Sequence, residues 1–198
     1  MIALVGCSKD KLPGTHAARA LYTGALFTGA MRIADAAAER VFIVSALHGL
    51  VEPGRELAAY NRQLSDVPAA ERAAWGHRVA SDLAAAVELH HAPLSPAGAG
   101  AEYSVTRRAP VRPIVVAIFA GADYADPIRV ALAMVRPAWR IIEPMRGMAV
   151  GRRRAWLTKN APKPPAARGS RRFVQLHMGE PFDLPPAVRG VLADMGRA

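Results

Sequence analysis

The chain has 198 residues, 52% of them hydrophobic, and no apolar run of about eighteen, which suits one folded domain with a full core and a terminal extension and excludes a wholly disordered chain or a membrane span. Its net charge of +10 is local: nine basic and no acidic residues lie between Glu143 and Glu180, while the rest holds 17 basic and 16 acidic. Cys7 is the only cysteine, which excludes an internal disulfide and a cysteine-built zinc site and fits a reducing cytoplasm.

The start, MIALVGCSKDK, lacks the length and polarity order of a signal peptide. Its apolar run IALVG (2–6) predicts a buried strand, and a helical pattern follows over 17–38. RVFIVSAL (40–47) predicts the second strand. SDVPAAERAAW then opens a helix over 68–90, with an acidic cap and a proline near the first turn. Residues 91–112, rich in proline, alanine and glycine, predict a surface connector. PIVVAIFAG (113–121) is the third strand, 126–136 a helix, and WRIIEPM (139–145) the fourth strand. After GMAVG a helix begins at Arg152–Arg154, and APKPPAARGSRR (161–172) reads as an extended basic linker to a small terminal element with a short helix.

Near-continuous β-branched runs alternating with helices predict an α/β fold, a mostly parallel central sheet with helices on both faces. Residues 1–158 form that domain, and 159–198 a basic C-terminal extension.

In such a sheet ligands bind beyond the carboxyl ends of the strands. Three strands end in polar segments: GCSKDK, SALHGL and AGADYAD. The small turn at Gly6-Cys7-Ser8-Lys9 lets backbone N–H groups approach a phosphate or carboxylate, with Lys9 and Lys11 adding charge. The spacing G-x-x-x-x-G-K-[S/T] is absent, so nucleotide triphosphate hydrolysis gains no support. Asp10, Glu52 and Asp123 are the carboxylates expected nearest this edge, and Tyr60 and Asn61 are spaced to fold back toward it. Tyr22 and Tyr124 offer flat faces on which a base could stack. Neither a metal nor a cofactor is expected. Three arginines at a helix start oppose the helix dipole, an arrangement that phosphates would neutralise. With Lys159, Arg171 and Arg172 they suggest a polyanion partner, the alternative being a solvated basic tail.

The blocks CSKDKLPGTHAARALYTGALF, VFIVSALHGLVEPGRELAAYNRQL, AGADYADPI and PMRGMAVGRRRAWL resemble an uncharacterised bacterial and phage domain family. Its pattern is C-S-K-x-K, A-R-x-L-Y-x-G-x-x-F, S-x-x-H-G-L-x-x-P, A-G-x-x-Y and P-x-x-G-x-x-x-G-x-x-x-x-W-L. The SALHGLVEP block is also similar to the Ser-x-x-x-Gly-Leu-x-x-Pro…Tyr block of the YaaA family of DNA-binding peroxide-stress proteins. The resemblance covers about residues 5–158. It implies DNA binding through a positively charged cleft and matches Cys7, Ser8, Lys9, Lys11, Arg19, Tyr22, Ser45, His48, Gly49, Tyr60, Gly121 and Tyr124. His48 stands where YaaA has an aromatic residue.

Two classes of function compete. One is an enzyme of DNA damage or phage defence, a DNA glycosylase that hydrolyses the N-glycosidic bond of a modified base without a cofactor. His48 and Glu52, with Asp10 or Asn61, would then face one glycosidic bond, and Ser45 would bind a phosphate or the base edge. Gly49 would let the backbone approach the flipped nucleotide. The Gly-Gln-Asp-Pro-Tyr-His block of uracil-DNA glycosylases is absent. The other class is a non-catalytic DNA-binding protein, and a hydrolase or transferase of free nucleotides would use the same pocket. The partner expected is single- or double-stranded DNA, with no membrane; the sequence fixes neither the base nor the oligomeric state.

Overall fold

In β1 (Ile2–Gly6), Ile2 and Leu4 face one hydrophobic cluster while Ala3 and Val5 face another, and all four are buried. Burial on both faces requires helices on both faces. The computed structural model describes residues 1–91 and 113–162, and it has that layering.

The elements after β1 are β2 (Thr15–Ala17), α1 (Ala18–Leu21), α2 (Ala25–Ala37), β3 (Arg40–Ser45), β4 (Gly49–Val51) and β5 (Glu56–Ala58). A 3-10 turn (Leu64–Asp66) leads to α3 (Ala69–His91), β6 (Val115–Phe119), α4 (Ala122–Val135), β7 (Arg140–Ile142) and α5 (Val150–Asn160). The main sheet has the order β4-β3-β1-β6-β7, parallel except for β4, which returns antiparallel along β3. Trp75, Val79 and Leu83 of α3 pack with Ile128 and Leu132 of α4 on one face. Phe27, Met31 and Ile33 of α2 pack with Leu157 of α5 on the other. Leu157 is 2% exposed, and burying such a side chain contributes about 1.5–3 kcal/mol, which fixes α5 to this face.

The expected α/β architecture with a mostly parallel sheet stands. One difference is the helix expected over 17–38, which is broken. Leu12 N–H bonds the Leu21 carbonyl and Thr23 N–H bonds the Asp10 carbonyl. The loop after β1 thus takes backbone groups that a continuous helix would have needed. β2 and β5 add a small antiparallel sheet, pairing Thr15 with Ala58, that periodicity over three residues cannot signal. Helix α5 runs to Asn160, two residues past the expected boundary at 158, and Asn160 is buried with its amide on the Trp156 carbonyl. The connector at 92–112 lies outside the described residues, as do 163–198 with Arg171, Arg172, most of the expected linker and the terminal element. Among the described residues no helix is long and apolar enough to cross a membrane.

Candidate functional site

Strands β1 and β6 are neighbours, but the chain leaves β1 for α2 on one face and leaves β6 for α4 on the other. Diverging connections leave a gap above the two strand ends, the place where open α/β sheets take ligands. A cavity of about 290 Å³ lies there, lined by Cys7, Ser8, Lys9, Asp10, Gly121, Asp123, Tyr124, Arg153, Arg154 and the amino end of α2. A larger cavity of about 690 Å³ lies at the opposite end of the sheet. Its acidic groups are already matched, Glu88 by Arg136 and Glu39 by the Met1 amino group, so the first cavity holds the unmatched chemistry.

The β1 end is built by close approach. Ser8 Oγ donates to the Asp10 carbonyl at 2.6 Å and accepts the Gly24 N–H at 3.2 Å. A Cβ on residue 24 would stand 2.7 Å from Ser8 Cβ, so only glycine lets α2 start this near the strand end. Gly24 and Gly121 are the N-caps of α2 and α4, and neither helix has a side-chain cap. Tyr124 N–H bonds the Gly121 carbonyl, but the leading N–H groups of a helix otherwise have no intrahelical partner, and both ends carry partial positive charge at the cavity. Arg153 Nε is buried without a hydrogen-bond partner among the described residues. The Arg153 guanidinium lies over Gly121, where a Cβ would stand 3.3 Å from Nη1. Lys9, Arg153 and Arg154 thus face the two carboxylates of Asp10 and Asp123 in one small cavity. Cys7 Sγ donates to Tyr124 Oη at 3.5 Å, and the Tyr124 ring stands edge-on to Trp75. Burial, with Cys7 nearby, pushes the Tyr124 phenol well above its ordinary range, so it stays a neutral hydroxyl.

The end of β3 behaves differently. Ser45 is fully buried, and its Oγ accepts the N–H groups of Leu47 and His48 while sharing a proton with Tyr60 Oη at 2.7 Å. Tyr60 in turn bonds Tyr22 Oη at 2.9 Å, and Tyr22 is 1% exposed with its ring against Phe27. Burial raises both phenols, so the network is one of neutral hydroxyls. Lys11 sits with its ammonium 4.3 Å from the Tyr60 ring centre and donates to the Lys9 carbonyl. Burial lowers the Lys11 pKa, an effect that Cys7 and Asp10 oppose. The His48 ring stands edge-on to Tyr60, and burial and then Arg55 lower its pKa.

Several sequence expectations are corrected by this geometry. Ser45 cannot meet a phosphate or base, because its hydroxyl closes the turn after β3. Tyr22 is core rather than a stacking face. Gly49 has φ +68° and serves the turn into β4, which only a residue at ease with positive φ can make. That turn sends the chain back along β3, so Val51 pairs with Ile43 and Glu52 reaches Arg40 at the amino end of the strand, 3.1 Å away. Glu52 is therefore carried away from the cavity. Asn61 is exposed ahead of the 3-10 turn, and neither it nor His48 lines the cavity. Arg19 Nη2 donates to both carboxylate oxygens of Asp35 at 2.9 Å on the surface of α1 and α2. Of the four catalytic candidates, only Asp10 is at the cavity. Cys7, Ser8, Lys9, Gly121 and Tyr124 are brought together there, while Arg152 and Lys159 are exposed on α5. Asp123, expected at this edge, lines the cavity, and Gly24 is a cavity residue that the sequence reading missed; a glycine just before the helix start was its signal.

The profile of a family described as a family of unknown function, DUF6884, matches residues 2–113. That is more than half of the chain, and the chain belongs to this family. No curated protein and no solved structure matches it.

Proposed function

We propose that this DUF6884 protein hydrolyses the N-glycosidic bond of a modified nucleotide in DNA, with the reacting nucleotide in the crevice between β1 and β6. The observation that carries the reading is the set of three cations facing two carboxylates in a cavity of about 290 Å³, at the small end of ligand pockets. A space of that size suits one nucleotide, so its base would have to leave the stack. Lys9, Arg153 and the amino ends of α2 and α4 would receive the phosphate. The neutral Tyr124 hydroxyl offers a donor and an acceptor to the base edge.

Asp10 or Asp123 would orient the water. The water oxygen bonds to C1′, and the C1′–N bond breaks with its electron pair leaving on the base nitrogen. One water proton passes to the carboxylate, and the departing base takes up a proton from solvent. The fixed cations and amides lie where the neighbouring phosphate would be held, so binding energy from it can position the sugar. His48 and Glu52 have no part in this reading.

Incubation with DNA bearing modified bases, followed by detection of free base and abasic sites, tests it. Base release by the wild type and its loss in Arg153→Ala are the expected result. A second reading is favoured by the exposed Arg152 and Lys159 of α5, which suit phosphate contact without chemistry. Salt-dependent DNA binding with no base released from any modified substrate would select that reading.

A further inference from the structure

The crevice does not end at Arg154. A second cavity of about 250 Å³ lies between α2 and α5 and shares Ala25 and Arg154 with the first. The two helices come close because residue 29 is glycine: a Cβ there would stand 3.2 Å from Leu157 Cβ. Among the described residues, the polar ones around this second cavity are Thr28, Arg32, Arg154 and Thr158, two guanidinium groups and two hydroxyls with no carboxylate. Asp35, one turn along α2 from Arg32, already has both carboxylate oxygens on Arg19 Nη2. Arg32 donates to the Pro162 carbonyl at the end of α5, and Arg32 and Arg154 are both exposed.

A crevice of mixed charge thus opens into a groove whose described residues carry positive charge alone, with one guanidinium common to both. We infer that the α2–α5 groove seats the phosphodiester next to the nucleotide in the crevice, so that the site takes a single nucleic-acid strand rather than a free nucleotide. The inference rests on the reading of the crevice as a nucleotide site. Arginine suits the junction because its planar fork can bond two phosphate oxygens, or two neighbouring phosphates, at once. A basic groove between two helices follows one backbone, and the Thr158 hydroxyl can donate to a phosphate oxygen, whereas Thr28 donates to the Ala25 carbonyl.

Calorimetric titration of the full chain with thymidine 5′-monophosphate and with the thymidine tetranucleotide, at several salt concentrations, separates the possibilities. The tetranucleotide should bind at least about tenfold more tightly, with a steeper dependence on salt. Arg32→Ala should remove most of that advantage and lower the salt slope by about 0.7, while leaving the monophosphate affinity unchanged. Arg32→Glu should do so more strongly, and the exposed position lets both variants fold. Equal affinity of the two ligands for the wild type, with the monophosphate still bound, would overturn the groove and leave the crevice reading standing. A tetranucleotide advantage that survives Arg32→Glu would also overturn it, since the extra contact would lie elsewhere. Binding of neither ligand would remove both readings together.

Discussion

After β1 the chain runs Gly6-Cys7-Ser8-Lys9, and after β3 it runs Ala46-Leu47-His48-Gly49. Both follow a buried parallel strand, and both offer small and polar residues at the same edge of the sheet. The β1 segment leaves toward α2 while neighbouring β6 leaves toward α4, and a cavity opens between them. The β3 segment turns straight back as β4, and Ser45 uses its hydroxyl on Leu47, His48 and Tyr60. A polar strand end therefore becomes a site where adjacent connections part, and becomes a plug where the chain doubles back.

The contrast is broken most directly by activity. Asp10→Asn or Asp123→Asn should lower single-turnover base release by about 10²- to 10⁴-fold, as removal of a water-orienting group does. His48→Ala and Glu52→Gln should leave it within a few fold. The reverse ranking would place the chemistry at the β3 end.

Stability should divide the two ends the other way. Tyr22→Ala removes a ring that is 1% exposed and one of the two partners of the Tyr60 hydroxyl, so it should cost about 3–5 kcal/mol and lower the thermal midpoint by roughly 10 °C. Lys9→Ala, at an exposed cavity residue, should move the midpoint by no more than about 2 °C. Similar midpoints for the two variants would mean that the tyrosine network is not structural.

The smallest effect is one of pH. Burial and Arg55 hold the His48 pKa below its ordinary 6.5, so as pH falls below 6.5 the unfolded chain takes up a proton that the folded chain resists. Stability should therefore decrease from pH 6.5 downward, and His48→Gln should make that decline shallower. Base release by the same variant should keep the wild-type pH profile, because His48 lies outside the cavity.

What could be read from the sequence follows from what each signal measures. The runs 2–6, 40–45 and 115–119 are buried on both faces, so near-continuous apolar stretches identify them. The convergence of β1 and β6 at one polar edge was legible for the same reason. Glu52 was misplaced because β4 has three residues, too few for an alternating pattern, and its reversal carries Glu52 back to Arg40 at the start of β3. Tyr22 was misread because an apolar pattern continues through 17–38 although the backbone there bonds to the loop at 10–12. Among the three adjacent arginines, a sequence gives no reason for Arg153 to lose its Nε to the interior while Arg152 stays exposed. That depends on how α5 packs on α2, a tertiary fact to which the close approach of Gly29 and Leu157 belongs.

Cys7 makes the central claim measurable at one atom, since it is the only cysteine and lines the crevice. The rate of its alkylation by iodoacetamide can be followed by mass spectrometry as thymidine 5′-monophosphate is added. Occupancy of the crevice should slow labelling in step with nucleotide binding, and Arg153→Ala should shift the protection to higher nucleotide concentration. Labelling that stays at the unliganded rate while calorimetry reports bound nucleotide would put the ligand elsewhere and contradict the account.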